Sequence, residues 1–228
     1  MPSETIFGES YAYKVMPDGR EWIQRNLAYT GITYRAADRN DLNLPIYGAV
    51  YKHDDVMAVT FPNRWRVPSY DEWDALSSAC GGNSVSGGAL KATGTTLWDA
   101  VNVAATDFYE WTCSGAGYDD TRNATYSGFR TYGILWVSNV YEDGTRRQAS
   151  FTKNSGNFAI ETNSAESYQY HMRSVRLVRD VAVGFNGVFP AQSGSWRNAS
   201  EVHVAKDGVW RKANRIFVPV SGAWREVQ

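Results

Sequence analysis

An α+β fold with few helices, short strands and long loops, followed by a small all-β hairpin-repeat tail, is what this 228-residue sequence predicts. Three observations carry that prediction. One stretch has clear helical spacing, short apolar runs alternate with Gly, Asn, Asp and Ser, and a Gly-x-Trp-Arg unit recurs near the C-terminus. Two regions follow, a domain over residues 1–180 and a tail over residues 181–228.

The helix runs from Ser69 to about Ala79. Pro68 disfavours helical backbone before it, and Ser69 with Glu72 three residues on forms a capping box. Tyr70, Trp73, Leu76 and Ala79 then share one face, and Gly81-Gly82 ends the helix. A face of Tyr, Trp and Leu is a core face, so no chemistry is assigned to it. Ile134-Leu135-Trp136-Val137, Phe158-Ala159-Ile160 and Ser174-Val175-Arg176-Leu177-Val178 read as strands bounded by turn residues. Residues 81–94 and 114–128 read as long polar loops, longer than compact domains usually keep without a use.

In the tail, Gly194-Ser195-Trp196-Arg197, Gly208-Val209-Trp210-Arg211 and Gly222-Ala223-Trp224-Arg225 recur at a spacing of 14. Asp207-Gly208 and Ser221-Gly222 are turn dipeptides flanked by alternating runs, the pattern of β-hairpins. A lone hairpin is marginal in water, so Trp196, Trp210 and Trp224 need neighbours, either the first domain or further copies of the chain.

Composition removes several function classes. Aromatics make up 14% of the chain, which excludes disorder because so many rings would not stay solvated. No run approaches the apolar length of a membrane span. With 23 Lys+Arg against 24 Asp+Glu, the chain lacks the basic footprint of a nucleic-acid binder. Met1-Pro2-Ser3-Glu4-Thr5 has neither a basic nor an apolar signal region, so synthesis in a cytoplasm is expected. Cys80 and Cys113 read as free, mostly buried thiols, with a single bridge between them as the alternative.

The sequence contains no phosphate loop, no Cys-x-x-Cys, no metalloprotease helix and no nucleophile elbow. His53-Asp54-Asp55 reads as a solvated polar turn. Asp38-Arg39-Asn40-Asp41-Leu42-Asn43 resembles a calcium loop but has Leu42 where an oxygen ligand is required. Asp119-Asp120 and Glu142-Asp143 are adjacent acids in loop sequence, where solvated surface is the expectation. Neither metal nor cofactor is therefore expected, and no catalytic residue is assigned.

Several segments nevertheless resemble a known family. Asp18-Gly19-Arg20-Glu21-Trp22-Ile23-Gln24-Arg25-Asn26-Leu27, Tyr47-Gly48-Ala49-Val50-Tyr51 and the run from Pro62 to Leu76 resemble successive motifs of the Fibrobacter succinogenes major paralogous domain. So do Gly88-Ala89-Leu90-Lys91, Trp98, the segment from Gly133 to Ser138, and Ser174-Val175-Arg176-Leu177-Val178-Arg179-Asp180. The likeness keeps the family's order from about residue 15 to 180. It implies a C-type-lectin-like fold of the kind shared with formylglycine-generating enzymes and with variable proteins of diversity-generating retroelements. It also implies that Trp22, Asn26, Trp65, Pro68, Glu72, Trp73, Trp136 and Arg176 are scaffold. The paired active-site cysteines of the enzymes and the Glu-Pro-Asn and Trp-Asn-Asp calcium-sugar motifs of animal lectins have no counterpart here.

Display of a binding surface is the remaining expectation. The segment from Tyr118 to His171 is dense in Tyr, Asn, Ser, Thr and Gly. Tyrosine gives large contact area for little rotamer entropy and Asn adds adaptable hydrogen bonds, as in antibody loops. Tyr118, Asn123, Tyr126, Tyr141, Asn154, Asn157, Asn163, Tyr168, Tyr170 and His171 are the candidate ligand-binding residues, and Tyr132 is expected to pack. The tail resembles the Val-x-Val-x-Gly-x-Trp repeats of phage tail and virion proteins. Together these imply a phage structural protein, exposed on tail or capsid in the manner of a tail fibre, that displays the domain for attachment to a receptor, protein or glycan, on a bacterial surface. Homo-oligomers and other virion proteins are the expected partners. A decoration or connector protein and a formylglycine-generating-type enzyme are the alternatives.

Overall fold

The computed structural model describes residues 1–163 and 168–181, and beyond these the backbone of four strands between residues 203 and 226. The chain divides into two compact units, Met1–Val181 and Ala182–Gln228. The first is α+β, with few short helices and two sheets, one curled into a half-barrel.

The smaller sheet is four-stranded and antiparallel. β1 (Ser3–Ile6) and β2 (Glu9–Val15) form a hairpin across Phe7-Gly8, both residues at positive φ. β3 (Arg20–Ile23) pairs with β2, and β12 (Val178–Asp180) closes the sheet beside β3. The larger sheet has β4 (Tyr34–Ala36), β5 (Ala49–Tyr51), β6 (Tyr118–Asp120), β7 (Thr125–Ser127), β8 (Tyr132–Val140), β9 (Arg146–Thr152), β10 (Phe158–Asn163) and β11 (His171–Ser174). Its order is β10-β9-β8-β11-β5-β4, with β6 and β7 branching from β11. All its named pairs are antiparallel except β8 with β11, where Ser174 sits opposite Leu135.

Among the described residues, four short helices decorate these sheets: α1 (Leu44–Tyr47), α2 (His53–Met57), α3 (Tyr70–Ala79) and α4 (Ser86–Leu90). α3 is the helix expected from sequence. Ser69 Oγ accepts from Glu72 N, and the Glu72 carboxylate accepts from Ser69 N at 2.8 Å, completing the capping box. α4 lies inside the segment 81–94, and β6 and β7 inside 114–128, so both expected loops carry regular structure. The expected strand over 174–178 is instead the crossing between sheets. Ser174 ends β11, Val178 begins β12, and between them the carbonyls of Val175 and Leu177 accept from Leu27 N and Ile23 N.

The core explains the tryptophans. Trp22, Trp73 and Trp111 meet at ring-centroid distances of 5.0 to 6.1 Å, with Phe151 and Phe158 against them, between the two sheets and beneath α3. A second cluster holds Tyr11, Tyr51, Trp65 and Trp136. Trp136 Nε1 donates to Tyr51 O and Trp98 Nε1 to Cys113 O, so both rings are buried with their polar edge satisfied. Pro68, Asn26 and Glu72 are buried as well.

Arg176 is buried at the centre. It stacks 3.9 Å over Trp111 and donates to Trp111 O, to Thr112 O at 2.9 Å and to Asn26 Oδ1 at 3.2 Å. Asn26 Nδ2 in turn donates to Tyr47 O at 2.9 Å, tying β3's continuation to α1. These contacts place every proposed scaffold residue of the first unit inside its packing.

In the second unit, β13 (His203–Lys206) pairs with β14 (Val209–Lys212), and β15 (Phe217–Val220) with β16 (Ala223–Glu226), both antiparallel. Trp210 and Trp224 fall within β14 and β16. Trp196 lies outside the described residues.

Candidate functional site

Alternation in the large sheet creates an open face at one end. Paired antiparallel residues share a face, so the register Ile134–Ser150–Ala159 and Trp136–Gln148–Glu161 fixes one row of side chains across β8, β9 and β10. The parallel pairing of Ser174 with Leu135 puts His171 and Arg173 level with the first half of β8. β6 adds Tyr118 beside them. From Ile134 to Val137 β8 is buried, and at Tyr132 the covering stops. The result is a cleft of about 360 Å³ lined by Tyr118, Tyr132, Ile134, Gln148, Ser150, Glu161, His171 and Arg173.

Its polar groups are held in place. Arg173 is 3% exposed, lies 4.2 Å over the Trp136 ring and donates from Nη2 to His171 Nδ1 at 3.0 Å. Burial pulls its guanidinium down to about 9, which leaves it charged at neutral pH. Burial, and then the Arg173 charge, lower the His171 pKa. With Nδ1 accepting, the His171 proton resides on Nε2, 3.9 Å from Asp120 Oδ2. Tyr118 stands edge-on to His171, centroids 5.3 Å apart, and Gln148 Nε2 donates to Glu161 Oε2 at 2.7 Å. Two tyrosine rings, a neutral imidazole, a fixed cation and an amide–carboxylate pair therefore surround one opening.

Of the residues singled out by sequence, Tyr118 and His171 reach this cleft. Tyr132, expected to pack, is 40% exposed and forms its wall. Its neighbour Gly133 lies in the core, and strand alternation puts Tyr132 on the opposite side. Tyr126 turns inward instead: its OH donates to Ala116 O at 2.5 Å and its ring packs on the cluster of Ala37, Tyr47 and Ala116. Asn123 donates to Asp120 Oδ2 at 2.9 Å in the β6–β7 turn, and Tyr170 lies 5.3 Å from the Arg122 guanidinium. Tyr141 sits in the β8–β9 turn with Arg147 over its ring at 4.4 Å. Asn154 and Asn157 are exposed in the β9–β10 turn. Asn163 ends β10 opposite Arg146, and its side chain lies outside the described residues. Tyr168 belongs to a separate recess of about 180 Å³ with Lys52, His53, Asp54, Asp55 and Gln169.

Gln148, Ser150, Glu161 and Arg173 were not singled out. Gln148 and Ser150 are two apart on β9, Arg173 is two from His171 on β11, and Glu161 on β10 pairs with Gln148, relations visible only once the strands are paired. Asp119 and Asp120 are buried rather than solvated: Arg39 clamps Asp119 at 2.7 and 3.1 Å, and Arg122 pairs with Asp120. His53 is likewise no solvated turn but a 1% exposed residue that begins α2. Residues 38–43 form two short 3-10 turns in which Asn40 Oδ1 accepts from Leu42 N. Among the described residues, no three His, Cys, Asp or Glu side chains converge on a metal position. Cys80 and Cys113 are free and buried, and burial pushes both thiols up to about 12.

A family model described as the Fibrobacter succinogenes major domain matches residues 15–179. No curated protein and no solved structure matches the chain.

Proposed function

The chain belongs to the Fibrobacter succinogenes major domain family, and from that premise we propose that it is a non-enzymatic binding protein whose ligand occupies the cleft between Tyr118, Tyr132 and His171. The carrying observation is the convergence of strands β6, β8, β9, β10 and β11 on one opening that mixes aromatic faces with fixed polar groups. Sites of this composition, a few placed polar groups among aromatic walls, are the usual form of a ligand pocket. The finer reading rests on sequence resemblance. In it the domain is C-type-lectin-like, and the chain is a virion-exposed phage protein that attaches to a bacterial surface receptor, protein or glycan, as a homo-oligomer. Diversification of the surface by a retroelement belongs to the same reading.

The test is binding of the fluorescently labelled chain to a panel of whole bacterial cells. Saturable binding is expected, and Tyr118→Ala with Tyr132→Ala should weaken it by about tenfold or more, as loss of aromatic anchors does. A folded double variant that binds like the parent would overturn the assignment of the cleft.

A connector role within a virion is the second reading. The exposed apolar side chains Leu42, Ile46, Val101 and Phe108 favour it, because they suit a protein partner. Substituting Leu42 and Phe108 with Ser should abolish incorporation into particles if that reading holds, and leave cell binding intact if the first does.

A further inference from the structure

His53 occupies a position whose geometry admits two hydrogen-bond arrangements. Its ring stands edge-on to Trp136 at 5.2 Å, and Nε2 lies 3.0 Å from Val137 O. Nδ1 has two neighbours at 3.1 Å, Arg146 Nε and Asp54 Oδ1. A guanidinium nitrogen only donates and a carboxylate oxygen only accepts, so one nitrogen cannot serve both in the same protonation state. In the neutral ring, Nε2–H donates to Val137 O and the Nδ1 lone pair accepts from Arg146. The same guanidinium reaches Asp54 Oδ1 from Nη2 at 3.2 Å and thereby bridges the two. Arg146 Nη1 also donates to Gly144 O at 2.8 Å, and the guanidinium lies 4.2 Å over Tyr168, whose OH accepts from Nη2 at 3.4 Å.

We propose that His53, Arg146 and Asp54 form a proton-operated hydrogen-bond exchange: a proton arriving on His53 Nδ1 moves that nitrogen's partnership from Arg146 to Asp54 and releases the guanidinium from Tyr168. Protonated Nδ1 faces Arg146 Nε donor to donor and cation to cation, whereas Asp54 Oδ1 already lies at hydrogen-bond distance. The imidazolium takes up a lone pair of Asp54 Oδ1 and repels Arg146, whose Nε is left without its acceptor. Arg146 retains Gly144 O, so it turns toward the β8–β9 turn and acid widens the recess beside Tyr168. The proton comes from solvent through that recess, which His53 itself lines.

Among the described residues, the charged and titratable groups facing His53 are Lys52, Asp54 and Asp55 from α2 and its lead-in, Arg146 from β9 and Tyr168 from the chain before β11. Arg173 from β11 lies behind Trp136. Burial lowers the His53 pKa, with Asp54 and Val137 opposing and Arg146 reinforcing the shift, so the exchange belongs below the usual histidine range. It does not depend on what the cleft of the large sheet binds.

Nitrogen-15 NMR of the uniformly labelled full chain from pH 8 to 5 tests it. At pH 8, His53 should be the Nε2–H tautomer, and the Arg146 Nε–H resonance should shift with the same midpoint as the His53 ring. Asp54→Ala, at a largely exposed carboxylate, should lower the His53 midpoint by about one pH unit and carry the Arg146 shift down with it. His53→Gln should abolish the Arg146 titration. An Nδ1–H tautomer at pH 8, an Arg146 signal that stays still through the wild-type midpoint, or an unchanged midpoint in Asp54→Ala overturns the proposal.

Discussion

Two buried cations show what single residues contribute here. Arg176 and Lys91 are each 1% exposed or less, and each is surrounded by main-chain oxygens rather than by a carboxylate. Lys91 Nζ donates to Val103 O, Thr152 O and Ser155 O at 2.8–2.9 Å, using all three of its protons to join the turn at Val103 to the end of β9 and the β9–β10 turn. Burial lowers its pKa to about 8, which still leaves the ammonium charged at neutral pH. Arg176 fills the same role at the centre of the domain through Trp111, Thr112 and Asn26. Replacing Arg176 with Met keeps the volume and leaves the carbonyls and Asn26 Oδ1 without their donor. The expected cost is about 1–3 kcal/mol for each buried acceptor left unsatisfied, read as a lower urea midpoint with the slope unchanged. A loss below about 1 kcal/mol would show that water replaces the guanidinium. Residue type alone does not reveal such roles. The two cations were marked in sequence only by standing inside a recognisable motif, because an arginine among apolar residues also fits an exposed strand edge.

Elements differ in how far local chemistry decides them. α3 was legible because its signals are local: Pro68, Ser69 and Glu72 set its start, and its apolar positions repeat at helical spacing. Glu72 does more than cap, since its carboxylate also accepts from Arg66 Nε at 3.0 Å and so anchors the helix to the segment that pairs with β12. Ser69→Ala removes only the Ser–Glu72 N half of the box and should cost about 1 kcal/mol. Glu72→Ala removes the other half and the arginine contact, and should cost at least twice as much in the same denaturation series. Equal losses would mean that Arg66 contributes nothing.

β6 and β7 were illegible for the opposite reason. Each has three residues, too few for alternation to register, and they are stabilised at long range by the Arg39 clamp on Asp119 and by pairing with β11. The buried run 174–178 was misread because a crossing segment covered on all sides has the same composition as a central strand. The cleft shares that difficulty. Its tyrosine and histidine walls stand out in sequence, while Gln148, Glu161 and Arg173 become neighbours only through register.

At the scale of the whole first unit, protonation links these parts. Both of its histidines accept at Nδ1 from an arginine, His53 from Arg146 and His171 from Arg173, and both have lowered pKa values with burial as the first cause. A base whose folded pKa lies below its unfolded value leaves the unfolded chain holding more protons in the interval between them. Stability then rises with pH across that interval. The histidine contribution is fully present above the unfolded value of 6.5 and declines as pH falls through 6.5 toward the lower folded values. Carboxylates act in a separate window. Desolvation raises the Asp54 and Asp120 carboxyls, but hydrogen bonds from His53 and Arg146 to Asp54 and from Arg122 to Asp120 outweigh it and lower both, so their contribution is lost only below the unfolded value of 3.8. Between pH 6.5 and 5 the slope therefore reports the histidines, at most about 1.4 kcal/mol per pH unit for each. Urea denaturation from pH 8 to 5 should give a plateau above pH 7 and a fall below 6.5, and His53→Gln with His171→Asn should flatten that fall. A parent protein whose stability is level or rises between pH 6.5 and 5 would show that the arginines do not hold these rings neutral. The two arginine–histidine contacts would then be incidental to folding rather than part of what makes it sensitive to acid.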